Sequence, residues 1–220
     1  MSKKLYHYVH CPFCLRVRMA AGFLGVQYES IVLSYDDEQT PNKLMGQKML
    51  PIFDFGNGKT SNESLEIIEQ IDKDQKLFNY SRDKGKLEDF NRYLGTLGSP
   101  VHSLCMPYFV YTAEFNESSR KYFLEKKEKK RGPFHLLVQK QSTFIEKVNK
   151  ELSILGNNLD PFYDSESMTL IDILLASHLW GLYLVPEFQF EPKWHNYLQK
   201  VKSLTAFNYH SDFWEKPINA

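Results

Sequence analysis

Residues 8–18, YVHCPFCLRVR, hold two cysteines separated by a proline and a phenylalanine, with a histidine just before them. On the N-terminal side, Leu5 to Val9 favour a strand. On the other side Pro12 stands where a helix can begin, followed by apolar Leu15, Val17, Met19, Ala20, Phe23 and Leu24, with Gly25 as the stop. The pair therefore lies at the carboxyl end of a strand and the amino end of a helix. With Cys11 as N-cap and Pro12 at the first helical position, Phe13 and Cys14 present free N–H groups toward the Cys11 sulfur. Those donors and the positive end of the helix dipole favour a thiolate at Cys11, and Cys14 lies one turn on, within disulfide reach. A thiol of pKa about 8.5 in such a setting falls to about 3.5–7.5, so Cys11 becomes both an attacking and a leaving group near neutral pH.

A metal site is the rival reading, because His7, His10, Cys11 and Cys14 are four possible zinc ligands within eight residues. His7 and His10 differ by three along a strand and point to opposite faces, and no second CxxC or HxxxH pair completes a tetrahedral set. No metal is expected. His10 is read as flanking the site, Cys105 as a small buried hydrophobe, and Arg16 and Arg18 as positive potential or exposed surface.

Outward from the motif, Tyr28 to Leu33 reads as a second strand, parallel to the first by the crossover rule. A short helix opens near Thr40-Pro41. A hairpin then joins Ile52–Phe55 to Lys59–Ser61 around Gly56-Asn57-Gly58, and Glu63–Lys73 is helical, giving βαβαββα. Residues 74–84, DQKLFNYSRDK, read as a linker between a domain over 1–73 and an all-α domain over 85–220. In the latter, helical spacing appears at Leu87–Leu97, Arg120–Lys130, Leu136–Leu155, Leu170–Leu184 and Trp194–Leu204. Within MTLIDI, Thr169 and Asp172 form a capping box and Met168 can staple on Ile173, a structural signal.

Composition narrows the function. Lys+Arg and Asp+Glu number 27 each, so zero net charge draws the protein toward neither nucleic acid nor anionic membrane. The run EKKEKKRG, 125–132, is read as a solvated helix face. Three cysteines suit a reducing compartment, the N-terminus lacks the apolar run of a signal peptide, and LIDILLASHLWGLYLV, 170–185, with Asp172 and His178, reads as a buried core helix. The expected localisation is cytoplasmic.

Several separated blocks, HCPFCLRVRM (10–19), DDEQTPNKLMGQKMLPIF (36–53), NESLEIIEQID (62–72) and RKYFLEKKE (120–128), resemble the two-domain glutaredoxins of the glutaredoxin 2 type. The resemblance covers essentially the whole chain. It implies an α/β thioredoxin-like N-terminal domain and an all-α GST-like C-terminal domain. It further implies Cys11 as nucleophile, Cys14 as resolving thiol, a cis Pro51 facing them, and glutathione held by Cys11, Lys48, the Leu50 backbone, Pro51, Glu63 and Ser64. Glutathione is then a co-substrate with no bound cofactor. The partners are glutathionylated or disulfide-containing proteins, and the protein is expected to be a monomer. The competing readings are a conjugating glutathione transferase and a glutathione or [2Fe–2S] binding module.

Overall fold

Residues 2–214 are described in a computed structural model of the protein; Met1 and 215–220, the last part of the expected helical domain, lie outside them. The first part runs β1 (Lys4–His7), α1 (Pro12–Leu24), β2 (Glu29–Val32), α2 (Gln39–Met45), β3 (Ile52–Asp54), β4 (Thr60–Ser61) and α3 (Ser64–Ile71), the expected βαβαββα order. β1 pairs in parallel with β2 and antiparallel with β3, and β4 joins β3 antiparallel, so the sheet order is β2-β1-β3-β4. β1 ends at His7, two residues earlier than its propensity indicates. Val9 and His10 leave the sheet because their N–H groups are bonded to the Glu114 carboxylate instead of a neighbouring strand.

The remainder is helical: α4 (Tyr80–Phe109), α5 (Glu117–Arg131), α6 (Phe134–Gln139), α7 (Gln141–Gly156), α8 (Leu170–Leu179) continued by a 3-10 turn over Trp180–Leu184, α9 (Pro192–Leu204) and α10 (Tyr209–Trp214). α4 starts within the segment read as linker and runs well past Leu97. Pro100 and Pro107 punctuate the sequence, yet Leu87, Phe90, Leu94, Leu97, Val101 and Leu104 keep being buried at three- and four-residue spacing. Packing along that stripe overrides the local breakers. The single helix expected over 136–155 is two, meeting at Lys140, whose N–H is shared between the carbonyls of Leu136 and Leu137.

α1 buries residues on every side, among them Cys14, Leu15, Arg16, Val17, Met19 and Ala20, the mark of a helix enclosed by other elements. α3 packs on it from its own unit and α8 from the helical part. Gly25 closes it at φ 67°, in the left-handed region where a side chain is strained. At Gly22 a Cβ atom would stand 1.8 Å from the carbonyl oxygen of Thr205, just past α9, so glycine is what allows that crossing.

One hydrophobic core runs through both parts, from Leu5, Leu15 and Phe53 to Leu94, Leu174 and Leu198. A smaller cluster of Tyr8, Cys14, Leu33, Leu50 and Ile52 lies beneath the cysteine motif. Every residue of α8 is buried. The Asp172 carboxylate at its start accepts from the Thr169 N–H (2.7 Å) and hydroxyl (3.0 Å), the Tyr163 N–H (2.9 Å) and the Tyr197 hydroxyl (2.8 Å). Burial raises its pKa and these donors pull it back.

Candidate active site

Cys11 is the N-cap of α1, with extended backbone angles (φ −83°, ψ 119°) and Pro12 following. Its carbonyl accepts the first helical bond, from Leu15 N–H at 2.9 Å, so the helix begins immediately beyond it. Cys11 is half-buried, while Cys14 is wholly enclosed and its Sγ faces the Tyr8 N–H at 3.5 Å. The two thiols are displaced in opposite directions. Cys11 falls to about 6, chiefly through the hydrogen bond from Cys14, with His10 and the N–H groups of Cys14 and Phe13 adding to it against burial. Cys14 is pushed up by burial, then by its hydrogen bond to Cys11 and the negative charge there. Among the aromatic neighbours, Phe13 is 45% exposed and carries the Arg16 guanidinium against its face, Cζ to ring centre 4.7 Å.

Of the two readings of Arg16, exposure does not hold: it is buried, and burial lowers its pKa to about 10 while the two cysteines raise it. Arg18 lies over the Phe207 ring at 4.9 Å. Cys105 is fully buried within α4, with its thiol pushed up by burial. His7 is buried against the Ser30 hydroxyl at 2.8 Å, while His10 faces Glu114, so the two histidines serve different partners.

The other sequence-selected residues lie on two further elements. The Leu50–Pro51 bond is cis, and Leu50 packs in the cluster that holds Cys14 and borders Cys11. Lys48 donates from Nζ to the Tyr35 carbonyl (2.6 Å) and lies over the Tyr122 ring at 4.0 Å. Its pKa is lowered by burial, against the attraction of Glu38. Glu63 is the exposed, extended N-cap of α3 and Ser64 its buried first residue, on the helix that packs against α1.

The helical part supplies residues that the motif does not announce. In the turn between α4 and α5, the Glu114 carboxylate accepts from the N–H groups of Val9 (2.9 Å) and His10 (3.1 Å) and from His10 Nδ1 (2.7 Å). From α5, Tyr122 and Ser118 donate to Glu38 and Asp36 in the loop after β2. Phe123 meets the Tyr35 ring at 4.7 Å. Part of the basic run also faces inward: Lys127 Nζ lies 5.6 Å from the Tyr35 ring centre, and Arg131 bonds the Ser99 carbonyl (3.0 Å) and Ser103 hydroxyl (3.1 Å). Lys127 and Arg131 are one helical turn apart, the only signal in the sequence that they share a face.

Residues 89–213 match the family model described as glutaredoxin 2, C terminal domain, and residues 5–77 that of the glutathione S-transferase N-terminal domain. Glutaredoxin 2 of Escherichia coli strain K12 is 30% identical over 210 residues, 93% of this chain and 96% of that protein. The solved structure of glutaredoxin 2 from Salmonella typhimurium, in complex with glutathione, is 30% identical with a TM-score of 0.81, over 96% of this chain and 97% of that one. A glutathione transferase of Phanerochaete chrysosporium has a TM-score of 0.70 over 94% of this chain and 100% of its own, at 16% identity, a likeness of fold alone. The architecture is thus a thioredoxin-like unit followed by a GST-like helical domain.

Proposed function

The chain belongs to the glutaredoxin 2 family and is a glutathione-dependent oxidoreductase, and from that premise we propose that it reduces protein–glutathione mixed disulfides and protein disulfides. Cys11 is the nucleophile and Cys14 the resolving thiol. The observation that carries this reading is the placement of the two cysteines, Cys11 as the N-cap of α1 and Cys14 enclosed one turn on, which lowers the pKa of the first thiol and raises that of the second. Thiolate Cys11 attacks the glutathione sulfur of a mixed disulfide. The Cys11–glutathione bond forms as the target sulfur leaves as a thiolate and takes a proton from water. A second glutathione thiolate attacks the glutathione sulfur, releasing glutathione disulfide and restoring Cys11. With a protein disulfide, Cys11 bonds one target sulfur as the other leaves as a thiolate. Cys14 then loses its proton and attacks Cys11, expelling the first target sulfur as a thiolate, and two glutathiones reduce the resulting Cys11–Cys14 bond to give glutathione disulfide. Part of what keeps Cys14 protonated is the Cys11 thiolate itself. That restraint vanishes once Cys11 is bonded, which times the second attack.

For glutathione, we assign the peptide part to the backbone of Leu50 before Pro51, the γ-glutamyl end to Glu63 and Ser64 at the head of α3, and the glycyl carboxylate to Lys48. The complex of the Salmonella relative supports glutathione as the ligand. We assign 1–73 to the redox domain, 74–84 to the linker and 85–220 to the helical domain. The protein is taken to act as a cytoplasmic monomer on glutathionylated proteins. No helix among the described residues is long and apolar enough to cross a membrane.

Reduction of a glutathionylated protein by wild type, Cys11→Ser and Cys14→Ser tests the assignment. Loss in the first variant and substantial retention in the second is expected; equal loss in both contradicts the roles. Conjugation of an aryl halide without disulfide exchange would make the protein a transferase.

A further inference from the structure

Glu114 lies 104 residues along the chain from His10, and its side chain is 1% exposed. The turn that carries it is itself fixed. Ala113 N–H donates to the Phe213 carbonyl (3.0 Å), Arg120 Nε to the Val110 carbonyl (2.6 Å), and the Thr112 hydroxyl to the Phe109 carbonyl (2.8 Å). A carboxylate withdrawn from water needs donors, and here three come from the two residues immediately before the nucleophile.

We propose that Glu114 is a positioning residue for the redox reaction: it fixes the 9–10 turn and holds the His10 ring in place beside Cys11, so that the helical domain sets the surroundings of the nucleophile. The inference rests on the reading of Cys11 as that nucleophile. A carboxylate bonded to Nδ1 sets the ring's orientation and tautomer. Rings from both domains enclose it, with centroids at 5.6 Å for Tyr8, 5.5 Å for Tyr35, 5.4 Å for Phe109 and 5.2 Å for both Phe115 and Phe123. After the hydrogen bond from Cys14, and against burial, His10 is among the causes of the low Cys11 pKa. The other titratable groups around this corner are Tyr8 and Tyr35, whose phenols burial holds neutral, Cys14, Arg16, His102, which burial brings down to about 4, and Lys127. None of these is altered by the variants below.

The test is the pH dependence of Cys11 alkylation by iodoacetamide in the reduced full-length protein, with the labelled peptide resolved by mass. Glu114→Gln should move the midpoint up by about one pH unit, which lowers the rate at pH 6 about fivefold and leaves that at pH 8 nearly unchanged. His10→Phe, which keeps an aromatic ring and leaves the carboxylate its two backbone donors, should do the same and decides the matter if the first variant does not fold. A folded variant with an unmoved midpoint, or an equal loss at both pH values, overturns the proposal. Wild-type turnover of a glutathione mixed disulfide is measured alongside. Its absence, with the midpoint shift intact, would remove the redox reading and support the role of Glu114 in setting the thiolate.

Discussion

Cys11 and Cys14 have the same side chain and differ in what surrounds it. Cys11 meets hydrogen-bond donors at a helix start, and its thiol falls to about 6, whereas Cys14 meets the interior. Because the anion is the reactive form, the rate of alkylation at Cys11 should rise through pH 6 and level off above about pH 7. Cys14 should remain unlabelled across that range. Peptide-resolved labelling from pH 4 to 9 checks both, and simultaneous labelling of the pair would refute the asymmetry. This much was legible in CPFC, since a cap, a proline and two following N–H groups are neighbours in sequence. Glu114 was not: two of its three donors are backbone N–H groups far away in the chain, which carry no sequence signature, and the third, on His10, is equally distant. Lys127 was hidden for another reason, lying in a run of like charges where composition says solvent and only the helix phase says inward.

At the level of elements, α1 and α8 are both enclosed, and each depends on one residue that admits no substitute. Gly22→Ala brings a Cβ against the backbone oxygen of Thr205, which a flexible side chain cannot relieve. We expect a loss of about 1–3 kcal/mol, measured by urea unfolding; an unchanged midpoint would mean that α9 gives way freely. Asp172→Ala strips the Thr169 and Tyr163 N–H groups and the Tyr197 hydroxyl of their acceptor. Leaving such donors buried and unpaired should cost about 3–5 kcal/mol, read in the same assay. The Thr169–Asp172 spacing was visible in MTLIDI, but the further bonds from Tyr163 and Tyr197 come from outside the helix and were not. α4 shows the opposite failure, with proline and glycine cues arguing for an end that a continuous buried stripe denies.

Across the whole molecule, three histidines resist protonation. Burial, aided by neighbouring positive charge, lowers His7 to about 3, His102 to about 4 and His178 to about 3. An unfolded histidine titrates near 6.5, so below that pH the unfolded chain binds protons that the folded chain refuses. Stability is therefore full above about pH 6.5 and falls as the pH drops toward 4, by about 1.4 kcal/mol per pH unit for each histidine. Urea midpoints at pH 7 and pH 5 measure it, and equal values would place these rings in solvent. The continuous core makes a second demand. A fragment ending at residue 79 would bare the face of α1 that packs on α8, and it should aggregate or unfold where the full chain does not, as light scattering and circular dichroism would report. The bonds from α5 to the loop after β2 reach beyond this one chain. Ser118 with Asp36, and Tyr122 with Glu38, are donor–acceptor pairs split between two domains. Across homologous sequences each pair should therefore covary, a residue that loses its acceptor on one side being matched by the loss of its donor on the other.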